Sequence, residues 1–120
     1  MTNQYTPPLS DGPINEEIHV YHNSEWARTF DIRNVETREV LDNSDLAFYG
    51  TVSYEDVVVA SFQFTKPNNQ DISVRLPVNQ INLLDSSKCY DYDWFIVTEN
   101  NREVFAKSKL RKFQTATVVP

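Results

Sequence analysis

The sequence predicts an all-β protein, an antiparallel β-sandwich of about seven strands with one short helical turn and an extended N-terminal arm. Three observations lead to this prediction. Short runs in which apolar and polar residues alternate recur along the chain, clusters of turn-forming residues separate these runs, and a single stretch has helical character. Successive side chains of a strand point to opposite faces of a sheet, so each run can bury one face and expose the other. The runs span residues 18–21, 26–32, 46–54, 57–64, 72–76, 90–97 and 102–110.

The predicted centre of the fold is a hairpin formed by residues 90–112. Its first strand begins with two aspartates, beyond which both faces turn apolar, as in a strand that starts at a wet edge and enters a packed interior. One face is expected to carry Tyr90, Tyr92, Trp94 and Ile96, and the other Asp91, Asp93, Phe95 and Val97. After a polar break at 99–101, the chain returns as a second strand. There, Val104, Ala106 and Leu110 are expected to alternate with Phe105, Lys107, Lys109 and Arg111.

The strands before this hairpin are expected to share their apolar faces within the same core. Residues 18–21 form an edge strand, and a helical turn over residues 78–84 is expected to begin after Pro77. Gly50 indicates a bulge or a close approach of the backbone to a neighbour. The in-phase apolar sets are Trp26, Phe30 and Ile32; Leu46, Phe48 and Val52; Val58, Ala60, Phe62 and Phe64; and Ile72, Val74 and Leu76.

Residues 1–17 are predicted to form an extended arm, and the sandwich is expected to occupy residues 18–120. The arm contains three prolines, which lack a backbone donor and fix φ, so it should have no internal hydrogen-bonded structure. Two interpretations stay open. The arm is either a floppy terminus or a segment that orders against a neighbouring subunit, with Tyr5, Leu9 and Ile14 as anchors.

Composition excludes several classes of function. The formal net charge of −6 disfavours nucleic acid and anionic membranes, both of which need a dense basic surface. The chain has only two glycines, so a Gly-rich phosphate loop is excluded, and its single cysteine cannot form an intrachain disulfide. There is neither an apolar run of about 20 residues nor a secretion signal. We therefore expect a soluble protein that is made inside a cell.

No constellation of residues predicts catalysis, a metal or a cofactor. His19 and His22 are expected to point to opposite faces of a strand, and Cys89 has no base near it in the sequence. Asp91 and Asp93 share a face, but no Asp-, Asn- and Gly-rich loop adjoins them to complete an oxygen cage. Their simplest interpretation is a pair of strand-edge charges that discourage wrong pairing. We expect a protein that is not an enzyme.

The sharpest charge feature is a basic stripe on an otherwise acidic chain. It consists of Lys107, Lys109, Arg111 and Lys112, of which three are in phase along one strand. The stripe is either a solvated strand face or half of a charge-complementary contact with an acidic patch on an identical neighbour or a different partner. The sequence does not choose between these interpretations.

The order of elements resembles that of small bacteriophage virion domains with an immunoglobulin-like β-sandwich, which occur in tail, baseplate and fibre-attachment proteins. The similarity covers residues 25 to about 117 and rests on three segments. These are E-W-A-R-T-F-D-I at 25–32, I-S-V-R-L-P at 72–77 before the helical turn, and Y-D-Y-D-W at 90–94. The resemblance implies a structural role without catalytic residues, and it implies that Tyr92 packs against the preceding segment.

Together these observations predict a non-enzymatic virion structural protein. Its expected role is that of a tail, baseplate or fibre-attachment component. A capsid decoration or cement protein is the alternative within this class, and a carbohydrate- or peptide-binding module that uses Trp26, Tyr49 or Tyr54 is the alternative outside it. The expected partners are other virion proteins and further copies of the chain, with neither nucleic acid nor membrane. The expected location is the virion, after synthesis in the host cytoplasm.

Overall fold

The computed structural model describes residues 15–34, 36–98 and 101–114, and over these ranges the chain forms two β-sheets packed face to face. The structure thus confirms the all-β sandwich. Its only helix among the described residues is a single turn, far too short and too polar to cross a membrane. The elements are β1 (Ile18–Tyr21), β2 (Trp26–Asp31), β3 (Ala47–Tyr54), β4 (Val57–Ser61), β5 (Gln63–Thr65), β6 (Asp71–Leu76), α1 (Val78–Ile81), β7 (Cys89–Val97) and β8 (Arg102–Phe113).

The strand order is that of an immunoglobulin-like sandwich. The larger sheet has the order β1-β8-β7-β3-β4, and the smaller sheet has the order β2-β6-β5. β1 lies parallel to β8 at the predicted edge position, whereas the other pairs are antiparallel. The run β8-β7-β3-β4 corresponds to strands G-F-C-C′ of immunoglobulin domains, and β2-β6-β5 corresponds to B-E-D. The central hairpin predicted from the sequence is β7–β8.

The described ranges contain eight strands where about seven were expected, because the predicted run at 57–64 crosses from one sheet to the other. Phe62, between β4 and β5, makes this crossing and donates its backbone N–H to Gly50 O at 3.0 Å. The predicted phase of Val58 is wrong, since its side chain is 56% exposed while Val59 packs against the core. The reason is a bulge in β4: the pairing of β3 with β4 shifts by one residue there, which turns Val58 outward.

The core is built around Trp94, whose side chain is 1% exposed. Six aromatic rings lie within about 6 Å of its ring, namely those of Trp26, Phe30, Phe62, Phe64, Tyr92 and Phe105. Immunoglobulin domains commonly join their two sheets by a disulfide at this depth. This chain has one cysteine, and the aromatic cluster joins the sheets instead, since it contains residues of β2, β5, β7 and β8.

Gly50 is the close-approach point that the sequence predicted. A Cβ atom added there would lie 2.6 Å from Trp94 Cδ1, which real Cβ atoms essentially never do. The two nearest phenylalanine atoms, Phe64 Cε1 and Phe62 Cδ1, would be 3.1 and 3.2 Å away. Glycine therefore makes room for the indole in the middle of the core.

Phe105 was expected on the outer face of β8, and this prediction is wrong. Its side chain is 4% exposed and packs against Phe30, Phe48 and Trp94. The pairing of β7 with β8 shifts between Trp94 and Phe95, which are opposite Ala106 and Val104. Phe105 is the extra residue of this bulge, so it enters the core beside Ala106.

Two tyrosines of β7 fasten the sandwich to neighbouring segments. The Tyr90 hydroxyl accepts a hydrogen bond from the Asp85 backbone N–H at 2.7 Å, in the manner of the tyrosine that closes this corner in immunoglobulin domains. Tyr90 thus holds the place that the resemblance assigned to Tyr92. The Tyr92 hydroxyl instead donates to the backbone oxygen of Glu16, whose carboxylate pairs with Arg28 at 2.5 Å. Glu16, near the end of the predicted arm, therefore packs onto the sandwich.

The polar segment at 42–45, which precedes β3, contains one residue that belongs to the interior. Asn43 is 1% exposed, and its side-chain amide donates to Asn68 O at 3.2 Å and Asp71 O at 3.0 Å. Lys66 closes the same region by donating to Asn43 O at 3.1 Å and Leu46 O at 2.8 Å. These contacts tie the segment before β3 to the loop before β6.

Candidate protein-binding face

The outer face of the larger sheet carries two adjacent rows of opposite charge. The acidic row is Asp91 and Asp93 on β7, and the basic row is Lys107, Lys109 and Arg111 on β8. We call this surface the charged face. The register places Asp91 opposite Lys109 and Asp93 opposite Lys107. β7 lies between β8 and β3, so the interpretation of the two aspartates as strand-edge charges is wrong.

The charges of this face are only partly satisfied within the molecule. Lys109 Nζ lies 2.6 Å from Asp91 Oδ1, and this contact raises the pKa of Lys109. The Thr51 hydroxyl donates to Asp93 Oδ1 at 3.0 Å. Within the described ranges, Lys107 has no carboxylate oxygen within 4 Å, so its ammonium is available to a partner. Arg111 makes one long contact, 3.5 Å from its Nε to Glu17 Oε2.

An aromatic stack adjoins the charged rows. Tyr49 is 51% exposed and stacks on Phe95, with ring centroids 5.8 Å apart. The Arg102 guanidinium carbon lies 3.8 Å from the centroid of the Phe95 ring. A shallow depression of about 580 Å³ crosses the same face from Asp56 and Val58 to the basic row. Exposed aromatic and arginine side chains are enriched at protein-binding surfaces, and complementary charges orient the partners that bind there.

The structure separates the predicted contact residues into three groups. Lys107, Lys109 and Arg111 lie exposed on the charged face. Lys112 does not belong to that stripe, because it is one residue out of phase and points to the opposite side of β8, where it is 4% exposed. The arm residues Tyr5, Leu9 and Ile14 lie outside the described residues. The role of all seven residues as partner contacts stays a prediction.

The remaining sequence candidates do not assemble into a site. In the described part of the chain, no three His, Cys, Asp or Glu side chains are grouped closely enough to hold a metal ion. Of the aromatic residues considered for glycan binding, Trp26 and Tyr54 pack against the core, and Tyr49 alone is strongly exposed. Cys89, which has no base near it in the sequence, is exposed.

Comparisons with known proteins find similar structures but no similar sequences. No family model matches the chain, and a search of the curated proteins finds no match either. Solved structures with a similar backbone fold include immunoglobulin domains. They include the crystal structure of the ZIG-8 IG1 homodimer, with 10% identity over 87% of this chain and 84% of that chain and a TM-score of 0.49. An Ig-like domain from human cDNA shares 10% identity over 100% of this chain and 86% of that chain, with a TM-score of 0.47.

A third similar structure is the novel immune-type receptor 11 extracellular fragment from Ictalurus punctatus, including its stalk region. It shares 11% identity over 88% of this chain and 90% of that chain, with a TM-score of 0.41. At this level of similarity the structures carry no argument about function. The class of the protein, an all-β immunoglobulin-like sandwich, follows from its own strand order.

Proposed function

We propose that the protein is a non-enzymatic structural protein that acts through protein–protein contacts at its charged face, and that a second copy of the chain is one of its partners. The observation that carries this proposal is the self-complementary arrangement of the two charged rows. Each row lies beside a row of opposite sign in a fixed register. A symmetric dimer needs a surface that is complementary to itself.

A two-fold axis along the strand direction, between β7 and β8, brings two copies of the face together. This operation lays β7 of one copy over β8 of the other and preserves the position along the strands. Asp91 then meets Lys109 of the second copy, and Asp93 meets Lys107 of the second copy. The symmetry repeats both contacts, so four pairs of opposite charge form between the two copies, and Arg111 lies over Cys89 of the second copy.

The magnitudes indicate a weak contact that depends on salt. Exposed ion pairs contribute only about 0.2–1 kcal/mol each, and salt screens them. Their main effects are the steering and orientation of the partner. Tyr49 and the Arg102–Phe95 stack supply the aromatic and arginine surface in which binding energy is usually concentrated.

The setting we propose is a bacteriophage virion, with synthesis in the host cytoplasm. Its support is the resemblance in element order to tail, baseplate and fibre-attachment domains. Within this proposal the chain is a tail, baseplate or fibre-attachment component, and a capsid decoration protein is the alternative. Repeated copies on a particle would multiply weak contacts into firm attachment. Other virion proteins would bind the same face or the arm residues Tyr5, Leu9 and Ile14.

Charge reversal tests the proposed contact. One variant, Lys107→Glu/Lys109→Glu, makes all four paired positions acidic and leaves Arg111 unchanged, and the other, Asp91→Lys/Asp93→Lys, makes both rows basic. We expect the wild type to associate at low salt in sedimentation velocity, each variant alone to stay monomeric, and an equimolar mixture to form a heterodimer. The heterodimer is expected because every juxtaposed pair in the mixture is again of opposite sign.

The matched control is Glu36→Lys/Glu39→Lys, which changes two charges on exposed residues outside the charged face. This variant should associate like the wild type. Circular dichroism confirms that each variant is folded. A wild type that stays monomeric at low salt, or a mixture that does not associate, would refute the dimer.

A further inference from the structure

One long side of the sandwich is bordered by two strand edges that have no neighbouring strand in the described part of the chain. β2 pairs with β6 alone. β1 pairs only with residues 110–113 of β8, so the preceding residues of β8 have β7 as their one partner. Phe30 of β2 and Phe105 of β8 lie 5.6 Å apart, which places both edges on the same side of the molecule. We call the gap between these edges the open side.

Phe30 is the core residue that the open side leaves incompletely covered. Its ring stacks on that of Trp94, with centroids 5.8 Å apart, and contacts the rings of Phe48 and Phe105. These three side chains are buried, whereas Phe30 is only half-buried. Removal of apolar surface from water is favourable, so the chemistry that fits the open side is an apolar side chain.

The chain enters the open side at Glu16. Its two carboxylate oxygens accept hydrogen bonds from Arg28 at 2.5 and 3.2 Å, and its backbone oxygen accepts one from the Tyr92 hydroxyl. Glu16 precedes β1 and meets the middle of β2, although the two strands are joined at their other ends, between residues 21 and 26. The two strands therefore run in opposite directions. A chain traced back from Glu16 continues toward the end of β2 that holds Phe30.

We infer that Ile14 of the same chain fills the open side beside Phe30, so that the root of the arm belongs to the sandwich. The described part of the chain begins at residue 15, directly after Ile14. Side chains two residues apart share a face of an extended segment, so Ile14 follows Glu16 as Phe30 follows Arg28. Ile14 is also the first apolar side chain that is reached on going back from Glu16.

This inference separates the arm into two parts. Residues 10–13 are Ser, Asp, Gly and Pro, which favour a turn and offer little apolar surface. Ile14 contacts its own sandwich, and the partner contacts proposed for the arm narrow to Tyr5 and Leu9. The inference does not depend on the charged face, which lies on the outer side of the larger sheet.

The test is a nuclear Overhauser spectrum of the full chain with ¹³C-labelled isoleucine methyl groups. It is recorded at high salt, at which the proposed charged-face dimer should be dissociated. The loss of one methyl signal in Ile14→Ala assigns that residue. We expect Overhauser effects between the Ile14 methyl groups and the Phe30 ring protons, and in a mixture of labelled and unlabelled chains these effects should stay within one chain. The absence of such effects, or effects that arise only between chains, would overturn the inference.

Melting temperatures give a second readout. Ile14→Ala should lower the melting temperature by about 4 °C or more, because it removes apolar surface from contact with the core. The matched control is Leu9→Ala, which truncates an aliphatic side chain of the same arm and should melt like the wild type. An unchanged melting temperature in Ile14→Ala, or an equal decrease in Leu9→Ala, would contradict the assignment of Ile14 to the open side.

Discussion

The packing around Gly50 makes a quantitative prediction about the core. In Gly50→Ala, the new methyl group would lie 2.6 Å from Trp94 Cδ1, which is 0.8 Å short of the ordinary contact limit of 3.4 Å. The indole cannot move away easily, because six aromatic rings surround it. Overpacking of this kind costs about 1–3 kcal/mol, and we expect the upper half of that range. The melting temperature should fall by roughly 10 °C.

Urea unfolding followed by circular dichroism measures the free energy directly. The control is Ser53→Ala in the same strand, at a half-buried position opposite the exposed Asp91, which should stay within about 0.5 kcal/mol of the wild type. Trp94→Val has no δ atom and so removes the clash, and the cost of Gly50→Ala should be smaller in that background by about 1 kcal/mol. A Gly50→Ala protein as stable as the wild type would refute the packing argument.

Three further substitutions test other parts of the fold. Phe105→Ala should cost about 3–5 kcal/mol in urea unfolding, and Val104→Ala much less, because the bulge places Phe105 in the core; equal costs would contradict the bulge. Asn43→Ala should cost about 2 kcal/mol, since it removes the buried amide that donates to Asn68 O and Asp71 O, whereas Asn69→Ala on the exposed facing loop should be nearly neutral. Burial, followed by the charge of Glu16, raises the pKa of Tyr92 to about 12, above its ordinary value of 10. The stability that Tyr92 contributes is therefore fully present below pH 10 and is lost as the pH rises toward 12, so wild-type stability should fall more steeply in that window than that of Tyr92→Phe. Parallel pH profiles of these two proteins would contradict that assignment.

The strands and the central hairpin could be predicted because their alternation is a local signal. Tyr90, Tyr92, Trp94 and Ile96 are buried as their period predicts. The same local signal also places Lys112 in the interior, two residues after the buried Leu110. The sequence interpretation grouped Lys112 with the basic stripe because of its charge, although its position in the alternating pattern places it on the other face.

The two bulges could not be predicted, because an extra residue changes the phase without leaving a mark in composition. Val58 and Phe105 therefore had the wrong face assigned. The polar turn at 42–45 shows a related limit, since composition identifies a turn but does not show that Asn43 alone points inward. That depends on the loop before β6, which meets it only in the folded chain.

The charged face illustrates how far the candidate site could be predicted. Both rows are visible in the sequence, as two aspartates and as a basic stripe. Their juxtaposition depends on the register of β7 with β8, and that register includes the bulge. The prediction of an acidic patch on an identical neighbour was therefore possible, but the pairing of Asp91 with Lys109 was not.

The central claim of this account is that the charged face binds a second copy. The most direct measurement is a series of ¹H–¹⁵N spectra of the full chain, recorded at low salt on dilution from millimolar to micromolar concentration. We predict concentration-dependent shifts on the facing strands, at Asp91, Asp93, Lys107 and Lys109, and at Tyr49 on the adjoining β3, that disappear at high salt. Spectra that do not change on dilution, or changes confined to the opposite sheet or to the exposed edge at Val57 and Val58, would contradict the claim.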